Sequence, residues 1–186
     1  MATRTRSAAR CAGAVATALL CACAAAPQTP LAERLDPSSG MGLTSLAEPL
    51  QLLAGAPRTS GRDPFAYLGP FQTNRMGERH LYLWVALPGD GATIEPVTLR
   101  CGVVDYPLAS SGADPRPDAL RMAPYAAPAP WSAISVHALP DELLACLADG
   151  EAITLEAMTV TAGSERFART STAPEARLRA FYDATR

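Results

Sequence analysis

Lysine is absent from this sequence of 186 residues, so all 16 basic residues are arginine, and Asn74 is the one asparagine. Histidine is scarce, with only His80 and His137, and aromatic residues make up 6% of the chain. The 18 acidic residues outnumber the basic ones, and no basic stripe of the kind that marks a nucleic-acid interface is visible. The sequence therefore predicts no nucleic-acid partner, while its 48% apolar content excludes a wholly disordered chain.

The N-terminal segment has an uncharged run that is too short to cross a bilayer. Residues 11–22 give twelve uncharged positions, whereas roughly 20 are needed to cross the hydrocarbon layer. The run follows Arg4, Arg6 and Arg10 and no acidic residue. A basic start followed by roughly 7–15 apolar residues is typical of a secretory signal. We therefore predict that residues 1–22 are a signal peptide.

The end of that run, Leu20-Cys21-Ala22-Cys23, resembles the lipobox of bacterial lipoproteins. The resemblance implies cleavage before Cys23 by signal peptidase II and attachment of diacylglycerol and palmitate-type acyl chains to its sulfur. Since Ala24 rather than Asp follows, it also implies the periplasmic leaflet of the outer membrane rather than the inner membrane. Three alternatives stay open: modification at Cys21, ordinary secretion with a cut after residues 24–26, and an uncleaved anchor.

The remaining cysteines, Cys101 and Cys146, form an even pair. Removal of residues 1–22 takes away three arginines and no acid, so the net charge falls from −2 to −5. A pair of cysteines in an oxidising compartment predicts one disulfide, with two buried thiols as the alternative. Two isolated cysteines and two distant histidines lack the paired spacing of a metal site, so no metal or other cofactor is expected.

The chain divides by composition into a linker and a folded domain. Residues 23–62 are rich in Ala, Pro, Ser and Gly and are predicted to form a flexible tether, with a possible short helix at 43–53 interrupted by Pro49. Residues 63–186 are predicted to form a mainly β globular domain. We expect a small antiparallel β-sandwich or half-barrel with two short covering helices, and the alternative is an α+β layer with one sheet.

The strongest strand signal is the apolar run at residues 80–87, which indicates a central strand covered on both faces. The turn Pro88–Gly91 predicts a hairpin to residues 92–101, with a bulge or edge at Pro96 and a kinked continuation over 102–106. Residues 107–130 are predicted to form a long Pro-rich loop. The remaining predictions are strands at 131–138, 153–161 and 164–170, a helix from Pro140 to Gly150, and a helix after the capping box at 172–175.

Candidate binding residues are His80, Tyr82 and Trp84, which share one face of the central strand and could stack on a sugar or peptide. The alternative is that this stripe packs under a loop or helix. The polar stretch 72–79 is either a recognition loop or a plain surface connection.

Catalytic residues are not expected, although one constellation deserves a test. Ser135 or Ser132 with His137 and Asp141 supplies the residue types of a serine hydrolase, but no Gly-x-Ser-x-Gly motif accompanies them.

The sequence thus predicts a membrane-anchored periplasmic lipoprotein with a non-enzymatic binding or envelope-structural role. Its expected partners are the lipid bilayer, through acylated Cys23, and an unknown protein. One alternative is an immunity-type lipoprotein that blocks a toxin through loop 107–130. Another is an envelope hydrolase that acts on peptidoglycan or polysaccharide, for which a deep cleft near His80 or His137 would be the sign.

Overall fold

The structure is a computed structural model that describes residues 30–55, 64–88, 94–109, 121–159, 163–169 and 176–186. Within these ranges the chain forms ten β-strands and two α-helices. The strands are β1 (Leu31–Asp36), β2 (Met41–Leu46), β3 (Leu50–Ala54), β4 (Phe65–Arg75), β5 (Glu78–Pro88), β6 (Ile94–Cys101), β7 (Val104–Leu108), β8 (Ser132–Ala138), β9 (Ile153–Thr159) and β10 (Gly163–Ala168). The helices are α1 (Asp141–Ala148) and α2 (Ala176–Thr185). The predicted signal peptide and Cys23 lie outside the described residues.

All ten strands pair antiparallel in one sheet that branches at β4. Its order is β1-β2-β4-β3-β10-β9-β6-β7, with β5 on the other edge of β4 and β8 beyond β5. The branch arises because β4 is 11 residues long and the two halves of one edge take different partners, β3 for residues 65–68 and β2 for residues 71–74. The sheet is not closed, and the prediction of a small antiparallel sandwich or half-barrel with two covering helices is confirmed.

The central strands β4 and β5 are buried on both faces. On one face Leu68, Leu83 and Val85 have no solvent exposure, and on the other Phe71 and Trp84 are at most 1% exposed. A strand covered on both sides needs apolar side chains at successive positions rather than at alternate ones. This explains the unbroken apolar run at 80–87, which lies in β5 as predicted.

The two helices follow the expected boundaries. Pro140 precedes α1 with an extended backbone, and Asp141 and Glu142 occupy the first turn. Negative charges there interact favourably with the positive end of the helix dipole. The helix ends just before Gly150, whose φ of 79° suits a residue without a side chain.

None of the helices in the described ranges is long and apolar enough to span a bilayer. Helix side chains in the core are Leu143, Leu144, Leu147, Leu178 and Phe181.

The predicted tether over residues 23–62, with its helix at 43–53, is wrong where the structure describes it. Residues 30–55 form three strands of the sheet instead. Burial alternates along β3, with Leu50 and Leu52 buried while Gln51 and Leu53 are exposed. That period of two belongs to a strand, and the helical spacing of leucines in this segment was coincidental. The parts of the tether outside these residues are not described.

The predicted hairpin between residues 80–87 and 92–101 is wrong in its pairing. Both segments form strands, but β5 pairs with β4 and β8, whereas β6 pairs with β7 and β9. The sequence did not reveal β4, because Gly69, Pro70 and a polar stretch interrupt its apolar pattern. Residues 104–108 do not continue β6 but turn back along it as β7. The irregularity predicted near Pro96 is confirmed as a register shift between residues 94 and 97.

Asp36 closes the β1–β2 hairpin with a buried carboxylate. Its side chain accepts hydrogen bonds from the backbone N–H of Arg121 at 2.7 Å and of Ser38 at 3.0 Å. These bonds, that from Arg121 first, hold the pKa of the Asp36 carboxyl below its ordinary value of 3.8. A carboxyl with a lowered folded pKa contributes stability above its unfolded pKa, and this contribution disappears as the pH falls through the folded value.

We therefore expect Asp36→Asn to be less stable than wild type at neutral pH, with the difference shrinking as the solution is acidified. Urea unfolding followed by circular dichroism between pH 7 and pH 2 measures this difference. A deficit that stays constant across that range would contradict the assigned role of the carboxylate.

Candidate functional site

The three residues of the predicted ligand-facing stripe differ in their exposure to solvent. His80 is exposed and pairs with Glu78 through an Nε2–Oε1 contact of 3.1 Å. Tyr82 is half-buried and stacks on Phe71 with ring centroids 5.3 Å apart. Trp84 is only 1% exposed, so its ring cannot stack on a ligand. The alternative interpretation, packing under a loop, holds for Trp84.

The loop that covers Trp84 is anchored by Tyr125, which lies within the Pro-rich segment. Its ring is 5.2 Å from that of Trp84, and its hydroxyl donates to the carbonyl of Pro70 at 2.5 Å and accepts from the backbone N–H of Leu46 at 3.1 Å. Burial raises the pKa of the Tyr125 hydroxyl well above its usual range, so it stays protonated and can donate. The described half of the predicted loop 107–130 is therefore built into the core at this point, while residues 110–120 lie outside the described residues.

Gly69 on β4 makes room for the Tyr125 ring. A side chain at this position would place its Cβ 2.3 Å from Cε2 of Tyr125 and under 3 Å from two further ring atoms. Real Cβ atoms do not approach carbon so closely, and Gly69 is paired with Trp84 of β5 in the sheet. The glycine is thus required by the ring, not by a turn.

Ser135 and His137 lie on the same face of β8 and form a hydrogen bond. Their Oγ and Nε2 atoms are 2.8 Å apart, and Nδ1 of His137 contacts the backbone carbonyl oxygen of Ala109 at 3.2 Å. In the tautomer whose Nδ1 donates to the Ala109 carbonyl, Nε2 accepts a hydrogen bond from the Ser135 hydroxyl. A catalytic serine and its general base share this hydrogen-bond arrangement. Spacing alone did not predict this contact.

The rest of the predicted hydrolase constellation is not brought together. Asp141 lies at the start of α1, and its exposed carboxylate is 3.8 Å from the guanidinium of Arg186. The hydroxyl of Ser132 accepts a hydrogen bond from the N–H of Ala129 in the turn before β8. Because Ser135 is 8% exposed and His137 is fully buried, the pair is placed as a satisfied polar contact inside the sheet.

The predicted disulfide is present and joins β6 to α1. The sulfur atoms of Cys101 and Cys146 are 2.11 Å apart and their Cα atoms 6.3 Å apart. Cys101 is 1% exposed, so the bridge lies within the core. No group of three or more His, Cys, Asp and Glu side chains that could hold a metal ion occurs among the residues the structure describes.

Four neighbouring strands, β1, β2, β4 and β5, present two rows of residues on one face of the sheet. The registers place Leu35, Gly42, Asn74 and Arg79 in the first row. They place Glu33, Thr44, Gln72 and Leu81 in the second. Since alternate residues of a strand point to the same side, both rows face one way. Seven of these eight residues, all but Leu81, line an open groove of about 460 Å³ together with Arg34, Leu43 and Ala184 of α2.

We call this open groove the row groove. It carries charges of opposite sign at its two sides. Arg79 lies on β5 and Glu33 on β1, about 14 Å away across three strand spacings and about 7 Å along the strands, so their backbones are about 16 Å apart. Neither side chain forms an ion pair with another residue in the described ranges. Gln72 lies between them, 6% exposed, and its Nε2 donates to the carbonyl of Thr185 at 3.3 Å, which fixes the end of α2 beside the groove.

The polar stretch 72–79 is a tight hairpin rather than a loop. It contains the end of β4, the two-residue turn Met76–Gly77 and the start of β5. Met76 has a φ of 54° and Gly77 a φ of 93°, and Oδ1 of Asn74 accepts from the N–H of Gly77 at 3.0 Å. Positive φ at both central residues is the geometry of the turn that suits the twist of a two-residue hairpin. The stretch therefore contributes three residues, Gln72, Asn74 and Arg79, to the row groove and presents Met76 to solvent.

Comparison of the chain with protein-family models, with curated proteins and with solved structures finds no match. The residues and their geometry are therefore the basis for any statement on function.

Proposed function

We propose that the protein is a membrane-anchored lipoprotein of the bacterial envelope, held in the periplasmic leaflet of the outer membrane, with a non-enzymatic binding role. The observation that carries the proposal is the sequence Leu20-Cys21-Ala22-Cys23 after an arginine-rich start and a twelve-residue uncharged run. The Cys101–Cys146 disulfide supports it, because such bridges persist in oxidising compartments and are rare in the cytosol.

In this proposal, the short length of chain between Cys23 and the first strand limits the distance between the β-domain and the membrane. The described residues begin at Pro30, seven residues after Cys23, and a fully extended chain of that length covers at most about 25 Å. The β-domain would therefore sit close above the headgroups. β1 runs from Leu31 towards Asp36, so the β1–β2 hairpin end, and the row groove beside it, lie at the end of the strand remote from the anchor.

Removing the acylated sulfur tests the anchor. We expect Cys23→Ala to shift the protein from the membrane fraction to the soluble periplasmic fraction or to leave it as an unprocessed precursor. A sulfur-linked diacylglycerol would be lost in either case, and two acyl chains are what hold such a protein stably. The matched control is Cys21→Ala, which retains Ala22 and Cys23 and should fractionate like wild type. Membrane fractionation of a Cys23→Ala variant from which residues 1–22 have been removed as in wild type would contradict the proposal.

An envelope hydrolase is the second candidate, and the hydrogen bond between Ser135 and His137 is the observation that favours it. A substrate carbonyl must come within roughly 3 Å of the serine oxygen, and the burial of both side chains opposes such an approach. We expect a fluorophosphonate probe to leave Ser135 unmodified, as read by mass spectrometry of the peptide that contains it. Labelling of Ser135 that is abolished by His137→Ala would establish the hydrolase instead.

A further inference from the structure

We propose that the row groove binds a short peptide of two to four residues with a free amino group and a free carboxylate. The ligand carboxylate would pair with Arg79 and its ammonium group with Glu33. This inference rests on the binding role proposed above and names its ligand class, but it is independent of the lipid anchor.

Opposite charges at the two sides of the row groove are the first reason. Arg79 and Glu33 both line it, and neither is neutralised by another side chain in the portion of the chain that is described. A ligand with a single charge would satisfy one of the two. The guanidinium also offers the fork of donors that suits a carboxylate. Arg34 also lines the row groove, but its guanidinium donates to the backbone carbonyl of Pro124.

The length of the ligand follows from the sheet. The backbones that carry Arg79 and Glu33 are about 16 Å apart, and a ligand bound between the tips of their two side chains has a shorter distance to bridge. An extended peptide advances about 3.3 Å per residue, so three residues cover about 10 Å. The volume of about 460 Å³ lies within the range of small-ligand sites.

The middle of the row groove suits a peptide backbone. Thr44, Gln72 and Asn74 lie there, and all three have polar side chains with no charge. Gln72 uses its Nε2 for Thr185, and within the described ranges no donor reaches its Oε1, which can accept from a ligand N–H. Gly42 has no side chain that would project into the row groove; a Cβ there would lie 3.5 Å from the carbonyl oxygen and 3.8 Å from the Cβ of Asn74. Any larger side chain would occupy ligand space.

The test is a titration of the full chain, purified in detergent micelles, with tri-alanine that has both termini free. Amide chemical shifts of Gly42, Thr44 and Asn74 report binding in the row groove. We expect saturable shifts at these residues, with at least tenfold weaker binding for the N-acetylated and for the C-amidated tripeptide. Absence of binding up to 10 mM peptide, or shifts confined to other residues, would overturn the proposal.

Charge-neutral variants assign each end of the peptide. We expect Arg79→Gln to weaken binding of free tri-alanine at least tenfold and to remove the extra loss caused by amidation. Glu33→Gln should do the same for acetylation. Arg75→Gln, on the same hairpin but outside the row groove, is the matched control and should bind within twofold of wild type. If both caps and both variants leave affinity unchanged, the two-charge recognition is wrong, whatever the fractionation of Cys23→Ala shows.

Discussion

Gly69→Ala is expected to lower the free energy of unfolding by about 2–3 kcal/mol, which corresponds to a fall in Tm of about 5–10 °C for a chain of this size. The new methyl group would lie 2.3 Å from the ring of Tyr125. The ring cannot simply move away, because its hydroxyl bridges Pro70 and Leu46 and its face packs on Trp84. The cost is therefore strain in the loop that covers the central strand.

Two comparisons isolate that contact from the general effect of adding a methyl group to a strand. Gly42→Ala places its Cβ 3.5 Å from the nearest atom, an ordinary contact, and should change the unfolding free energy by less than about 0.5 kcal/mol. In a Tyr125→Ala background, Gly69→Ala should cost less than about 1 kcal/mol, since the clashing ring is gone. Equal destabilisation by Gly69→Ala and Gly42→Ala in urea unfolding would show that the contact has no energetic consequence.

Removal of both disulfide cysteines is expected to have the largest effect on stability. The bridge joins positions 45 residues apart, and the chain-entropy relation assigns such a loop about 4 kcal/mol. We expect Cys101→Ala with Cys146→Ala to lower the unfolding free energy by that amount and Tm by roughly 8–16 °C. Differential scanning calorimetry of wild type and the double variant measures the change.

Reduced wild type serves as the control for lost side-chain packing. It retains both sulfur atoms but not the bond, so its Tm should fall close to that of the double variant. Cys21→Ala should leave the Tm of the domain unchanged. A Tm that is the same with and without reductant, or two titratable thiols in the unreduced unfolded domain, would contradict the bridge.

Some strands and helices could be predicted from the sequence, because the pattern of apolar and polar residues within them matches which of their side chains are buried. The run at 80–87 is apolar at every position because β5 is covered on both faces, and Pro140 with two acids marks the start of α1. The disulfide was predictable because two cysteines remain for the domain once Cys23 is assigned to the lipid. In each case the deciding information lies within a few residues or in a simple count.

The strands β1 to β3 and the partner of β5 were not predictable in this way. Over short lengths, the spacing of their leucines fits a helix and a strand equally well. These segments are strands because they pair with residues distant in sequence, such as Leu52 with Ala66. The need for glycine at position 69 arises from Tyr125, which anchors to Pro70 across a separation of 55 residues. Long-range contacts of this kind leave no local trace.

The row groove is hidden in the sequence for the same reason. Glu33, Thr44, Gln72 and Arg79 come from four separate strands, and only the registers align them. The sequence drew attention to the stretch 72–79 for its polarity, and that stretch supplies one wall of the groove. It gave no indication that residues 33–44, assigned to a tether, supply the other.

The mass of the N-terminal tryptic peptide from membrane-associated protein is the most direct measurement of the central claim. Trypsin cleaves after Arg34, so the processed lipoprotein should yield a peptide from residue 23 to residue 34 whose mass includes diacylglycerol and acyl chains on Cys23. An unmodified peptide that begins at residue 25, 26 or 27, or that retains residues before Cys23, would contradict a lipid-anchored envelope protein.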